Sequence, residues 1–188
     1  MSSQRLQLTL AILKPDIVKV PCYLKEVRRK MLSAGFSFVR SKEICLKQSD
    51  AERFYYEHNK RFFYNRLITF MSSGPIHIHI IAHNNAIKHW RDLMGPTKTF
   101  IAQYQAPDSL RGSFGLTDTR NSMHGSDSET SALKEISFFF PSFDYSEWLS
   151  REEPLLRQGK CFFNSRTLCH ETQPDIYLVN QQQLRQFR

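Results

Sequence analysis

No apolar stretch in this chain approaches the length of a membrane helix, so a bilayer-spanning segment is not expected. No G-x-x-x-x-G-K-S/T element occurs, which excludes a Walker-type phosphate cradle. The Gly-rich loop, H-R-D and D-F-G set of protein kinases is missing too. Cys22, Cys45, Cys161 and Cys169 form no C-x-x-C pair, so a zinc site built on them lacks partners and reduced structural thiols are expected. No internal repeat is seen, and no secretory signal is expected. Too few residues precede the first apolar run for an ordinary cleaved presequence. Yet no acidic residue stands before Asp16, and basic, acid-poor N-termini are read by mitochondrial import. An intracellular protein is expected, with mitochondrial and cytoplasmic locations both open.

The chain has 188 residues, enough for one domain with a true core and an extra segment. Hydrophobic content of 40% and charged content of 23% are those of a globular protein. A net charge of +8 invites a nucleic-acid reading, but the basic residues are scattered, and an anionic nucleotide explains a positive cleft equally well.

Leu6 to Leu13 reads as a buried strand that Pro15 ends. Cys22 to Ala34 reads as an amphipathic helix with Leu24, Val27 and Met31 on one face and Gly35 past its end. Phe36 to Leu46 alternates as a strand, and helices are expected over 49–58 and 61–72. Ile76 to His83 alternates strictly, with Ile76, Ile78 and Ile80 opposite His77, His79 and Ile81. The two histidines read as polar residues of a half-exposed strand rather than a metal pair. A helix over 85–94 precedes an irregular loop over 95–112, then a strand leading into His124. The order βαβ, helices, βαβ predicts an α+β, ferredoxin-like split-βαβ sandwich whose antiparallel four-stranded sheet is covered by helices. Residues 1–149 are expected to form the domain and 150–188 a divergent C-terminal extension that wraps it or stays loosely ordered.

The densest chemistry lies in Asn121-Ser122-Met123-His124-Gly125-Ser126-Asp127-Ser128. Ser126 and Glu129 fit an S-x-x-E capping box, placing a helix N-terminus, and with it an anion site, beside His124. Imidazole stays largely neutral near pH 7 and can carry a phosphoryl group covalently. Lys14 at a strand end, with Arg91, Thr97 and Arg111, can grip phosphate oxygens. Taken singly, each of these is a solvated surface group.

Taken together, they resemble the nucleoside diphosphate kinase family. Leu13-Lys14-Pro15-Asp16, Arg61-Phe62-Phe63-Tyr64, Ser73-Gly74-Pro75, Arg111-Gly112-Ser113-Phe114 and the N-x-x-H-G-S-D-S box fall in the family's order, at nearly its spacing, over about residues 6–141. Phe62-Phe63-Tyr64 and the run Gly115 to Arg120 are most similar to a divergent sixth type found in vertebrates.

The resemblance implies ping-pong transfer of the γ-phosphoryl of a nucleoside triphosphate such as ATP to a nucleoside diphosphate through His124. It implies that Ser126 and Glu135 orient the imidazole, that Tyr55 lies beside it, and that Lys14, Arg91, Thr97 and Arg111 bind phosphate. Asn121 would bond the sugar 3′-hydroxyl, and Phe63 with Leu67 would wall the base. Magnesium would arrive on the nucleotide phosphates, with few or no protein ligands. Phe62 stands where the family has proline, Asp118 replaces an apolar contact, and the 97–111 loop is a few residues longer. In abundant members that loop helps build a hexamer, so homo-oligomer and protein-partner readings both stay open. The alternatives are a weakly active nucleotide-binding module acting through a protein partner, and a basic nucleic-acid binder.

Overall fold

The computed structural model describes residues 4–172. Its elements are β1 (Gln7–Leu13), α1 (Pro15–Val18), α2 (Pro21–Ser33), β2 (Ser37–Cys45), α3 (Gln48–Phe54), α4 (Tyr64–Met71), β3 (Pro75–His83) and α5 (Ala86–Met94). They continue with α6 (Thr99–Gln105), α7 (Leu110–Phe114), β4 (Met123–Gly125), α8 (Glu129–Phe139), α9 (Tyr145–Arg151), α10 (Glu153–Arg157), β5 (Cys161–Asn164) and β6 (Cys169–Thr172). β1 to β4 form one sheet in the order β2-β3-β1-β4, every pairing antiparallel. This is the split-βαβ arrangement, and it makes β1 and β3 the central strands.

Central strands are covered on both faces, which is why β1 is buried without a break from Leu8 to Leu13 rather than in alternation. Leu8, Leu10 and Ile12 join Ile76, Ile78 and Ile80 on one face, with Leu67 and Met71 of α4 and Ile136 and Phe139 of α8. Ala11, Leu13 and Ile81 face the other way, under Val27 and Met31 of α2 and Trp90 and Met94 of α5. Phe38 and Val39 are both buried, one in each core, and a β-bulge between Phe38 and Arg40 leaves Val39 without a partner in the β2–β3 register.

Four local expectations are corrected. The helix expected over 49–58 stops at Phe54 and continues only as a 3-10 turn, Tyr56–His58, while its neighbour starts at Tyr64 rather than 61. The expected loop over 95–112 contains α6 and part of α7. Asp118 Oδ1 accepts from the Thr99 N–H at the start of α6, so the residue that departs from the family pattern anchors this segment. His77 and His79 are buried, not half-exposed. Arg28 donates to His77 Nδ1 at 2.7 Å and Glu43 Oε2 lies 2.7 Å from His77 Nε2.

α9 runs across the boundary expected at residue 149. Trp148 of α9 and, beyond that helix, Leu156 enter the core, and Glu153 accepts from the Leu6 N–H at 2.9 Å and pairs with Arg157. The β5–β6 hairpin leans on β2: the Phe38 N–H donates to His170 Nδ1 at 2.8 Å. Ser41 Oγ donates to the Leu168 carbonyl at 2.6 Å and lies 2.7 Å from His79 Nδ1. Leu156, Glu153, Leu168 and His170 thus pack against the elements before them, and the glutamine-rich end of the expected extension lies outside the described residues. Among the described residues no helix is long and apolar enough to cross a membrane.

Candidate active site

His124 sits mid-way along β4, paired with Ile12 of β1. A Cβ added to Gly125 would lie 2.4 Å from Trp90 Cδ1, so glycine is what lets β4 approach α5. There the Trp90 Nε1–H donates to the His124 carbonyl at 3.2 Å. The ring's Nε2 lies 3.0 Å from Glu135 Oε2. The same oxygen accepts the Ser126 hydroxyl at 2.7 Å, and Ser126 Oγ accepts in turn from the Leu10 N–H. A carboxylate only accepts, so Nε2 carries the ring proton and Nδ1 keeps its lone pair. Phe54 and Tyr55 meet the imidazole edge-on, with centroids at 5.4 and 6.0 Å. The side chain is 22% exposed, which leaves a reacting group a way in.

The capping box placed at Ser126 is corrected. Ser128 caps α8, its hydroxyl accepting from the Ser131 N–H at 3.2 Å. The Ser131 hydroxyl holds the Asp127 carboxyl below its ordinary pKa. The helix end thus serves its own acid and hydroxyl.

Two cationic side chains gather around Asn121. The Lys14 ammonium, buried, donates to Asn121 Oδ1 at 2.6 Å, and the Asn121 amide donates to the Thr97 carbonyl at 3.1 Å. Burial, and then the Arg111 charge, push the Lys14 pKa down to about 7. Arg111 spends three donors on the carbonyls of Asn121, Gly95 and Met123, which ties α7 to β4 and leaves two of its five donors uncommitted. Burial, followed by the charge of Arg91, lowers its pKa to about 10. Arg91 and the Thr97 side chain are exposed beside this group.

Phe63 and Leu67 are less direct. Leu67 belongs to the core, and Phe63 is half-buried against it. Rings link Phe63 to the histidine, from His58 at 5.7 Å to Tyr55 at 6.3 Å and so to His124. Tyr55 is buried, and burial with the nearby Glu135 charge pushes its phenol far above the ordinary range, so it stays neutral. Phe62, in the family's proline position, is 93% exposed. A cleft of about 620 Å³ between α3 and α8 reaches His124 and Glu135, walled by Phe54, Tyr55, His58 and Phe138.

Sequence reading missed Phe54, Trp90 and the structural part of Asp16. Asp16 alone carried a signal, through the Leu13-Lys14-Pro15-Asp16 run.

A family model described as nucleoside diphosphate kinase matches residues 7–145. The chain belongs to the nucleoside diphosphate kinase family. A human protein named nucleoside diphosphate kinase 6 is 56% identical over 158 residues, covering 84% of this chain and 85% of that protein. The mouse protein of the same name is 53% identical over 169 residues, covering 90% and 89%. Among solved structures, the Aquifex aeolicus nucleoside diphosphate kinase is 37% identical with a TM-score of 0.67, covering 72% of this chain and 95% of that one. The ferredoxin-like α+β fold of this nucleoside diphosphate kinase family member agrees with those neighbours. The family match ends where α9 begins, so the segment carrying the hairpin lies beyond it.

Proposed function

We propose that this chain moves the γ-phosphoryl group of a nucleoside triphosphate such as ATP to a nucleoside diphosphate, by way of phosphohistidine on His124. The observation that carries the reading is the pinning of Nε2 to Glu135, which leaves Nδ1 as the nucleophile. The Nδ1 lone pair attacks the γ-phosphorus, the bond to the β–γ bridging oxygen breaks, and the diphosphate leaves. The second half is the reverse, with another diphosphate oxygen attacking the phosphorus and the electron pair returning to Nδ1. Glu135 balances the positive charge that the ring gains while phosphorylated. Lys14, Arg111 and Arg91 neutralise charge on the transferring group without any bond changes of their own.

Among the described residues no group of three His, Cys, Asp or Glu side chains is placed to hold a metal. The phosphate-facing groups are cationic, a donor set that fits magnesium carried on the nucleotide phosphates, where it would shield their charge. Phe63 supplies a π-face that accepts any base. Incubation with labelled ATP and magnesium should leave an acid-labile label on His124, removed by added diphosphate. Bound nucleotide without label would favour the weakly active module that works through a partner. Tight nucleic-acid binding that survives physiological salt and excess ATP would favour the third reading.

The depressed Lys14 pKa makes nucleotide binding pH-dependent. Phosphates near the amine favour its charged form, so a site that is largely neutral above about pH 7 takes up a proton on binding. Calorimetry of ADP binding at about pH 8, in buffers of different ionisation enthalpy, should report uptake approaching one proton, fading at lower pH. Affinity should fall up to ~tenfold per pH unit above the free-site value. Lys14→Met should remove the uptake, and none in the wild type would mean Lys14 is already charged. In the free protein the same depression makes stability rise with pH between about 7 and the ordinary lysine value, because the unfolded chain binds the extra proton there.

Phe63→Ala should weaken binding of all common nucleotides by a similar factor, worth ~1–3 kcal/mol for a lost stack. Because Phe63 is only half-buried, the stability cost should stay below the ~3–5 kcal/mol of a full core phenylalanine. Melting and calorimetry on one variant separate the two. A large fall in melting temperature with affinity preserved would remove Phe63 from the site.

A further inference from the structure

Between Asn121, which meets Lys14, and the strand that carries His124, the chain turns sharply at Ser122. Ser122 is wholly buried and has φ of 73°, a region that side-chain-bearing residues rarely occupy. The Met123 N–H donates to the Asn121 carbonyl across it at 2.8 Å, closing a three-residue turn of the rare, strained kind. Its hydroxyl has no partner among the described residues, so the side chain does nothing to hold the conformation. Strained residues of this sort persist only where their surroundings over-determine them.

Two anchors do so here, both from the start of the fold. The Lys14 N–H donates to the Ser122 carbonyl at 2.9 Å. The Ser122 N–H donates to Asp16 Oδ2 at 3.0 Å. Pro15 opens α1 and fixes the direction from which Asp16 arrives. The other carboxylate oxygen is buried, and the N–H groups of Asp16 and Ile17 at the start of α1 also favour the charged carboxyl. Burial still raises the Asp16 pKa, against the pull of Lys14.

We propose that Asp16 is a positioning residue for phosphoryl transfer, its carboxylate holding the strained Ser122 turn that sets Asn121 against Lys14 on one side and aims His124 on the other. This rests on the phosphohistidine reading above. Asp16 touches neither nucleotide nor imidazole; it acts through the Ser122 N–H, and through its charge it keeps Lys14 easier to protonate.

The test is the single-turnover rate of His124 labelling by ATP and magnesium, with ADP affinity measured alongside by calorimetry. Asp16→Ala should slow labelling by about tenfold to a hundredfold, the scale of one released strained residue. Ser122→Gly alone should stay near wild type, because glycine adopts positive φ freely. Added to Asp16→Ala, it should restore most of the rate. A role for Asp16 elsewhere in α1 would not be rescued by glycine at 122, so an equal loss with and without Ser122→Gly overturns the inference, as does Asp16→Ala at wild-type speed. Asp16→Asn keeps an acceptor oxygen and serves if Asp16→Ala does not fold. Its rate should hold at about pH 6, while the pH midpoint of ADP binding moves lower because Lys14 loses a negative neighbour. A slowed rate with an unmoved midpoint would overturn the inference. A wild-type chain that takes no label sinks the phosphotransfer reading instead. ADP affinity in the same variants then decides the positioning role, since the turn also sets Asn121 and Lys14.

Discussion

His124→Ala is expected to take no label from ATP and to lose turnover by up to ~10⁶-fold, the scale seen when a nucleophile that works as a unit with its partners is removed. Nucleotide binding should survive, because Lys14, Arg91 and Arg111 do not depend on the imidazole for their places. Lys14 is held by Asn121, and Arg111 by three backbone carbonyls. Folding should change little, by ~1 kcal/mol, since the ring is partly exposed and its removal leaves Glu135 still bonded to Ser126. Filter-bound label and ADP calorimetry on the same preparation check both halves. Label equal to wild type would move the chemistry to another residue.

Glu135→Gln should slow the single-turnover step by between about 10² and 10⁴, the upper figure being the cost of losing an orienting carboxylate in a serine-protease triad. Two donors, the His124 Nε2–H and the Ser126 hydroxyl, share one oxygen of Glu135. An amide that puts its oxygen there satisfies both but no longer balances the charged ring. One that puts its nitrogen there drives the ring proton to Nδ1 and removes the nucleophile's lone pair. Partial exposure of the pair lets water compensate, which favours the lower end. ADP affinity should be unchanged. A wild-type rate in this variant would reduce Glu135 to a surface helix residue.

Much of the fold was legible because its signals are local. The apolar run of β1, the alternation of β3 and the amphipathic α2 and α5 appear within one or two residues of their expected bounds. What could not be read depends on partners distant in sequence. α6 and α7 are too short to hold alone, and they form because Asp118 meets the Thr99 N–H and the Gln103 side chain meets the Gly115 carbonyl. Ser126 looked like a cap because Glu129 follows it by three, but Glu135 and the Leu10 N–H claim its hydroxyl and leave the cap to Ser128. His77 and His79 lie on the face expected, yet α2 and the hairpin bury them. In the candidate site, the residue types of the Lys14, Asn121 and Arg111 cluster were legible, while Phe54, Trp90 and the Ser122 turn were not. A backbone dihedral or a ring contact leaves no motif.

The grip of the β5–β6 hairpin on β2 decides the tautomer of a histidine at the centre of the sheet. Ser41 has one hydroxyl proton, and a carbonyl cannot donate, so that proton goes to Leu168. The hydrogen between Ser41 and His79 must therefore come from the ring, which fixes His79 as the Nδ1–H form and leaves its buried Nε2 bare, with no partner among the described residues. Burial and the nearby Arg28 charge hold the ring well below its usual pKa, so it stays in that single form. Which isomer of a central imidazole the native state contains is thus dictated by a residue 127 positions further along the chain than Ser41, in a segment beyond the family's match.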